Sequence, residues 1–149
     1  MTSAGSAHVA IVLDTNVISE LMRATPDGRV EGWVRTIPPA VVYTTSVTLA
    51  EVRFGIARLA PGRRRDLLAH TADDIFDTFA DRVLSFDGDA ARQYAEIVVE
   101  RERAGTPIAG FDAQIAAICR ARDAALATRN STDFAGLGLD LVDPWREGT

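Results

Sequence analysis

Short apolar runs alternate with segments of helical periodicity along the chain. The first run, Val9 to Leu13, ends at Asp14 and leads directly into a helical pattern. A short apolar run bounded by polar residues is typical of a strand that is buried on both faces of a parallel sheet. By this criterion the sequence predicts five strands, over residues 9–14, 41–44, 83–86, 124–128 and 139–142.

Helices are predicted between these strands, where apolar residues recur every three to four positions. Thr15 or Asn16 is expected to cap the first helix, and Ser46 the third. The predicted helices cover 15–23, a segment through Trp33 to about Thr36, 46–59, 64–80, 88–104 and 108–122. The alternation of strands and helices predicts a single α/β domain with three α/β/α layers and a central, mostly parallel sheet.

Asp14 follows the first predicted strand directly, at the carboxyl end of that strand. Open α/β sheets bind their ligands at this edge. A carboxylate at the lip of a buried strand loses hydration and needs compensation from hydrogen bonds or a cation. Asp14 is therefore the first candidate for a functional residue.

The composition is that of an ordinary soluble domain, with 149 residues, 47% apolar and 25% charged residues, and a net charge of −5. Residues 9–149 are expected to form this domain, and residues 1–8 a flexible tail. No signal peptide or membrane span is evident, so a cytoplasmic protein is expected. The 16 basic residues are all arginine, which excludes sites that require a lysine. The single cysteine and two unrelated histidines exclude a zinc cluster.

Two further acidic residues occupy unusual positions on predicted helices. Asp112 shares a helical face with Ile108, Ile115, Ala116 and Cys119. Such an apolar environment is costly for a carboxylate unless it is paired or binds a metal. Asp112 is therefore a second candidate.

Glu51 resembles Asp112 in its surroundings, since Val47, Phe54 and Gly55 flank it at helical offsets. An alternative is that each acid pairs with an arginine at the edge of the core, and the candidates are Arg53, Arg58 and Arg120. For one acid alone this pairing is favoured. Three acids that converge on one edge of the sheet favour a common site.

A fourth acidic position follows the fourth predicted strand, in the segment ATRNSTDF at 127–134. Asp133 or Asn130 in this loop is able to reach the same edge as Asp14. Ordinary turn and capping roles explain the same residues, and Asp133 alone is consistent with the cap of a short helix.

Carboxylate and carbonyl oxygens, without histidine or cysteine, select hard cations such as Mg²⁺ or Mn²⁺. In such a site the metal polarises a phosphate, lowers the pKa of water and stabilises the leaving oxygen. The acids therefore point to metal-dependent phosphoryl chemistry.

Four segments of the chain contain these candidate residues: LDTNVISEL at 13–21, TTSVTLAEVRFGI at 44–56, GFDAQIAAI at 110–118 and ATRNSTDF at 127–134. In their order and spacing they resemble the PIN-domain nucleases, and in particular the VapC-type and FitB-type toxins of bacterial toxin–antitoxin pairs. The resemblance covers nearly the whole chain and includes the closing Asp143-Pro144-Trp145.

The resemblance implies an endoribonuclease whose acids bind magnesium or manganese and hydrolyse RNA. Asp14 and Asp112 correspond to the more direct metal ligands, and Glu51 to a residue that binds a second ion or orients the attacking water. Some relatives carry an acid where this chain has Asn130, and here the carboxylate comes three residues later, at Asp133. Three further residues are expected to donate or accept hydrogen bonds around these acids: Thr15, Asn16 and Ser46.

The resemblance also implies a homodimer and a cognate antitoxin whose tail occupies the active site. Arg63, Arg64 and Arg65 are able to bind RNA phosphates, although a solvated helix start is the favoured interpretation. Response-regulator receivers and haloacid-dehalogenase phosphatases also place acids at strand ends, but both require a lysine. A catalytically silent binding module with the same fold is the remaining alternative.

Overall fold

In this computed structural model, residues 9–147 are described. A five-stranded sheet with the order β3-β2-β1-β4-β5 forms the centre, and every pairing between neighbours is parallel. The strands are β1 (Ile11–Leu13), β2 (Val42–Thr45), β3 (Val83–Leu84), β4 (Ala125–Ala127) and β5 (Leu141–Val142). The predicted α/β class and three-layer architecture are confirmed, and the predicted tail at 1–8 lies outside the described residues.

Seven α-helices within the described residues surround the sheet. They are α1 (Thr15–Leu21), α2 (Gly28–Arg35), α3 (Ser46–Ala57), α4 (Arg63–Phe79), α5 (Gly88–Arg103), α6 (Gly110–Arg122) and α7 (Pro144–Glu147). Two short 3-10 helices, Pro39–Val41 and Ser131–Phe134, were not predicted, and neither was α7. None of these helices is long and apolar enough to cross a membrane.

The two faces of the sheet support separate hydrophobic cores, because successive strand residues point to opposite sides. Val12 and Leu126 pack into the core that α5 and α6 cover, whereas Leu13 and Ala127 pack into the opposite core. Asp123, in the left-handed conformation (φ 53°), ends α6 one residue before the chain enters the sheet region. Asp residues adopt this conformation more readily than most.

Two capping predictions are wrong by one residue each. Asp14, rather than Thr15 or Asn16, is the N-cap of α1, because its backbone is still extended. Thr45, rather than Ser46, is the N-cap of α3, and its hydroxyl accepts a hydrogen bond from the Thr48 amide at 3.0 Å. In both cases the last residue with extended backbone before the helix supplies the cap.

The chain first builds outward from β1 to β2 and β3 and then crosses to β4 on the other side of β1. Such a reversal of strand order is a topological switch point, where α/β sheets form a crevice at the carboxyl ends of the strands. The register aligns Leu13 of β1 with Ala127 of β4. Asp14 and Thr128 therefore leave adjacent strands at this crevice.

Candidate active site

Asp14 is held rigidly at the switch point by both neighbouring chain segments. Its amide donates to the Ala127 carbonyl at 2.9 Å, which continues the β1–β4 pairing. The Oδ1 atom accepts from the Thr15 amide at 2.8 Å, and Oδ2 accepts from the Thr128 hydroxyl at 2.7 Å. The residue is only 4% exposed. Its carboxylate orientation is thus set by the backbone of α1 and by the residue after β4.

Thr128 is a fully buried residue that joins three parts of the site. Its hydroxyl donates to Asp14 and accepts from Asn16 Nδ2 at 3.2 Å and from the Asn130 amide at 3.0 Å. A hydroxyl has one proton and two lone pairs, so all three positions are used. The sequence prediction missed Thr128, although the polar residue that ends the apolar run of a neighbouring strand is a detectable signal.

Glu51 is positioned by a short chain of hydroxyl groups. The Thr15 hydroxyl donates to Glu51 Oε1 at 2.6 Å and lies 3.0 Å from the Thr48 hydroxyl. Because Thr15 gives its single proton to the carboxylate, Thr48 must be the donor in the second bond. Thr15 thus orients Glu51, and the supporting hydroxyl comes from Thr48.

Asp112 lies in the first turn of α6 and is half-buried above a fully buried apolar face. Burial, together with the charges of Asp14, Asp133 and Glu51, raises the pKa of Asp112 to about 6. Burial also raises the pKa of Asp14, despite its hydrogen bonds from Thr128 and Thr15. In both cases the environment disfavours the carboxylate relative to an ordinary aspartate, and a nearby cation would oppose this effect.

The alternative that these acids pair with arginines is wrong for all three candidates. Arg53 bonds Asp73 at 2.6 Å, and the Arg58 guanidinium lies 5.4 Å from the centroid of the Phe54 ring. Arg120 pairs with two glutamates of α5, Glu96 and Glu100. No ion pair within residues 9–147 involves Asp14, Glu51 or Asp112.

An open cleft of about 460 Å³ brings most of the predicted residues together. Six of them line it: Asp14, Thr15, Asn16, Glu51, Asp112 and Asn130. Five residues that the sequence prediction missed also line it: Ser19, Glu20, Arg23, Arg129 and Trp145. Ser46 and the triplet Arg63 to Arg65 do not.

Asp133 lies on the exposed 3-10 helix after β4 and is not part of the cleft wall. Its backbone carbonyl accepts from the buried Arg101 guanidinium at 2.7 Å, which anchors this helix. Its negative charge still raises the pKa of Asp14 and of Asp112. Asp133 is therefore close enough to influence the site electrostatically, from its edge.

The fit of a metal ion can be judged from the donor groups. Within the described part of the chain, no three Asp, Glu, His or Cys side chains form a cluster that could hold an ion. Mg²⁺, however, keeps several water ligands and needs only one or two carboxylates from the protein. The oxygen-only donors, and the raised pKa of Asp14 and Asp112, fit a hydrated hard cation.

Comparison with known proteins places this geometry in a family. Residues 11–138 of this chain match the sequence pattern of the PIN domain family. The chain belongs to the PIN-domain family. The VapC ribonuclease Y4jK of Sinorhizobium fredii is 40% identical to this PIN domain over 136 residues, which cover 91% of this chain and 97% of that protein.

Two solved structures have the same architecture as this PIN domain. The crystal structure of FitAcB from Neisseria gonorrhoeae aligns with a TM-score of 0.85 and 36% identity, over 91% of this chain and 99% of that chain. VapBC-5 from Mycobacterium tuberculosis, a member of the VapBC family of toxin–antitoxin systems, aligns with a TM-score of 0.66 and 29% identity. The alignment covers 90% of this chain and 98% of that chain. The resemblance to VapC-type and FitB-type toxins is thereby confirmed.

Proposed function

We propose that this PIN domain is the toxin of a toxin–antitoxin pair and acts as a metal-dependent endoribonuclease. The observation that carries the proposal is the convergence of Asp14, Glu51 and Asp112 on one cleft without an arginine partner. The raised pKa of Asp14 and of Asp112 supports the proposal, because a bound cation would stabilise the charged forms of these carboxyl groups. Similarity to a protein named VapC ribonuclease supports RNA as the substrate.

In the proposed mechanism Asp14 and Asp112 would hold Mg²⁺ or Mn²⁺. The metal would polarise the phosphodiester and make water a stronger nucleophile. Thr128 and the Thr15 amide hold the Asp14 carboxylate in one orientation, each using one of its oxygens. This fixed orientation avoids reorganisation of the carboxylate during the reaction.

Glu51 is assigned the role of orienting the attacking water and accepting its proton. Oε1 accepts the hydrogen bond from the Thr15 hydroxyl, so we assign the contact with water to Oε2. Asp133, at the edge of the site, is assigned a contribution through its charge or through water. Because Asp133 is exposed, it is not held in one orientation by burial as Asp14 is.

Withdrawal of the metal gives the direct test of the proposed function. We expect purified, antitoxin-free protein to cleave total RNA with magnesium or manganese and to lose this activity in excess EDTA. Gel electrophoresis of the RNA measures the cleavage, and readdition of metal must restore it. A folded protein that is inactive with either metal and with every RNA class would contradict the proposal and favour the silent binding module.

An apolar groove beside the acidic cleft supports an antitoxin partner. It lies between α1, α3 and α4 and is lined by Met22, Val52, Ile56, Leu59 and Leu68. Its wall also includes Thr15, Ser19, Arg23 and Glu51, all of which line the acidic cleft as well. A polypeptide bound in the groove therefore has a continuous path to the acids, and we assign the antitoxin to it.

The exposed residue Leu67 extends this groove and offers a test of the assignment. It is 55% exposed and lines a pocket that shares Met22, Arg64 and Leu68 with the groove. We expect Leu67→Glu to weaken binding of the cognate antitoxin at least tenfold, because a charge would be buried in an apolar contact. Titration calorimetry measures the binding constant.

The control for this variant is Val99→Glu on α5, which introduces the same charge at a residue that is 40% exposed. It should leave antitoxin binding unchanged, and both variants should keep the nuclease activity of the free toxin. The assignment would be contradicted if both variants lost antitoxin binding equally. It would also be contradicted if neither variant lost it. The proposal further includes the homodimer that the resemblance implies and the cytoplasmic location expected from the sequence.

A further inference from the structure

Arg129 occupies a defined place in the acidic cleft, and the proposed mechanism does not use it. It follows Thr128 directly, and its amide donates to Asn16 Oδ1 at 3.3 Å. Its guanidinium carbon lies 4.8 Å from the centroid of the Trp145 ring, in cation–π contact. Both residues line the cleft together with Asp14, Glu51 and Asp112.

Two arginines line this cleft, and they differ in their partners. Arg23 pairs with the buried Glu20, with 3.3 Å between Nη1 and Oε2. No carboxylate within residues 9–147 lies within 4 Å of the Arg129 guanidinium. Stacking on an aromatic ring occupies the flat face of a guanidinium, so the N–H groups along its edge remain available. Arg129 therefore presents free donors to the cleft.

Trp145 forms a rigid support for this guanidinium. It is buried in the core on the side of β1 that contains Trp33 and Val30. Its amide donates to Asp143 Oδ1 at 2.9 Å, which fixes the start of α7. The ring is thus held by the core and by the backbone, so that it can define the position of the arginine.

We propose that Arg129 binds a backbone phosphate of the RNA strand beside the scissile bond, and that Trp145 positions it for this contact. This inference rests on the proposed nuclease function. The cleft is otherwise strongly acidic and would repel a polyanion, so a cation with free N–H groups supplies the attraction that the acids lack. Guanidinium groups bind phosphate through paired, charge-assisted hydrogen bonds.

The test measures RNA binding apart from cleavage. A fluorescein-labelled single-stranded RNA of mixed sequence is titrated with the Asp14→Asn protein in EDTA, at several KCl concentrations, and anisotropy gives Kd. We expect Arg129→Gln to raise Kd about tenfold and to reduce the slope of log Kd against log salt by about 0.7, the value for one lost contact with a single strand. Arg92→Gln removes the same charge at an exposed residue of α5, and this control should leave the slope unchanged.

The role of Trp145 is tested by a double-mutant cycle. We expect Trp145→Leu to raise Kd about fivefold with Arg129 present and to have no further effect in the Arg129→Gln protein, because it acts through that residue. If Trp145→Leu lowers the melting temperature strongly, Trp145→Phe replaces it, and a smaller loss of the same kind is expected. Equal effects in both backgrounds would overturn the positioning role.

The wild-type chain is assayed for metal-dependent RNA cleavage in parallel. Cleavage by the wild type, together with an unchanged salt slope in Arg129→Gln, would overturn the phosphate contact alone. A slope that falls equally in Arg92→Gln would also overturn it, because the effect would then come from net charge. Absence of both RNA binding and cleavage in the wild type would overturn the proposed function as well.

Discussion

Replacement of Asp14 by asparagine is expected to reduce RNA cleavage about a thousandfold or more, because a direct metal ligand contributes several kcal/mol to the transition state. The fold should survive the change. Asparagine has the same shape and loses one hydrogen bond in this position, either to Thr15 or to Thr128. Against that loss, the raised pKa of Asp14 shows that its buried charge opposes folding at neutral pH.

Single-turnover cleavage of RNA measures the rate, and thermal unfolding by circular dichroism verifies the fold. Asp89→Asn is the matched control, since Asp89 is an exposed residue of α5 that pairs with Arg92. It should cleave RNA at the wild-type rate. Full activity in a folded Asp14→Asn protein would refute the assigned site. Retained binding of the antitoxin by this variant would separate recognition of the partner from catalysis.

Replacement of Thr128 by valine is expected to lower the cleavage rate about 10- to 100-fold, the usual effect of removing a group that orients a metal ligand. Valine has nearly the same volume but cannot donate to Asp14 or accept from Asn16 and Asn130. A buried polar group left without its partner costs about 1–3 kcal/mol. The melting temperature should therefore fall together with the activity.

Thr128→Ser is the control, because serine keeps the hydroxyl and removes only a methyl group. Its cleavage rate should remain within a few-fold of the wild type, so that the two variants separate hydrogen bonding from packing. Equal loss of activity in both variants would show that the methyl group matters as much as the hydroxyl, because valine retains the methyl group and serine retains the hydroxyl. A fully active Thr128→Val protein would contradict the orienting role of the hydroxyl.

Most of the architecture was predictable because its signals are local. Apolar runs located all five strands, and helical periodicity located α1 to α6. The predicted strand ends were less accurate, since a strand extends only as far as its residues pair with those of a neighbouring strand. Predicted strand 139–142, for example, pairs over only Leu141 and Val142. The 3-10 helices and α7 were missed because they are too short to show a period.

The site was predictable where a residue type conflicts with its surroundings, as for Asp112, which shares its face with the fully buried Ile115, Ala116 and Cys119. The same argument was partly wrong for Glu51, because Phe54 is 63% exposed and does not belong to the core. Arg129 and Trp145 could not be assigned from local pattern, and Thr128 is marked only by its place after an apolar run. Their roles arise from contacts across the sheet, between segments that are far apart in sequence.

The hydrogen bond between Asp14 and Thr128 spans 114 positions of the chain, and this separation has a consequence during synthesis. A ribosome releases the first acid long before the residue that orients it, and Trp145 emerges later still. Until then Asp14 lacks its threonine partner and Arg129 lacks its aromatic support. Each nascent chain therefore completes this cleft only after Trp145 has been synthesised, so that the site forms late in its translation.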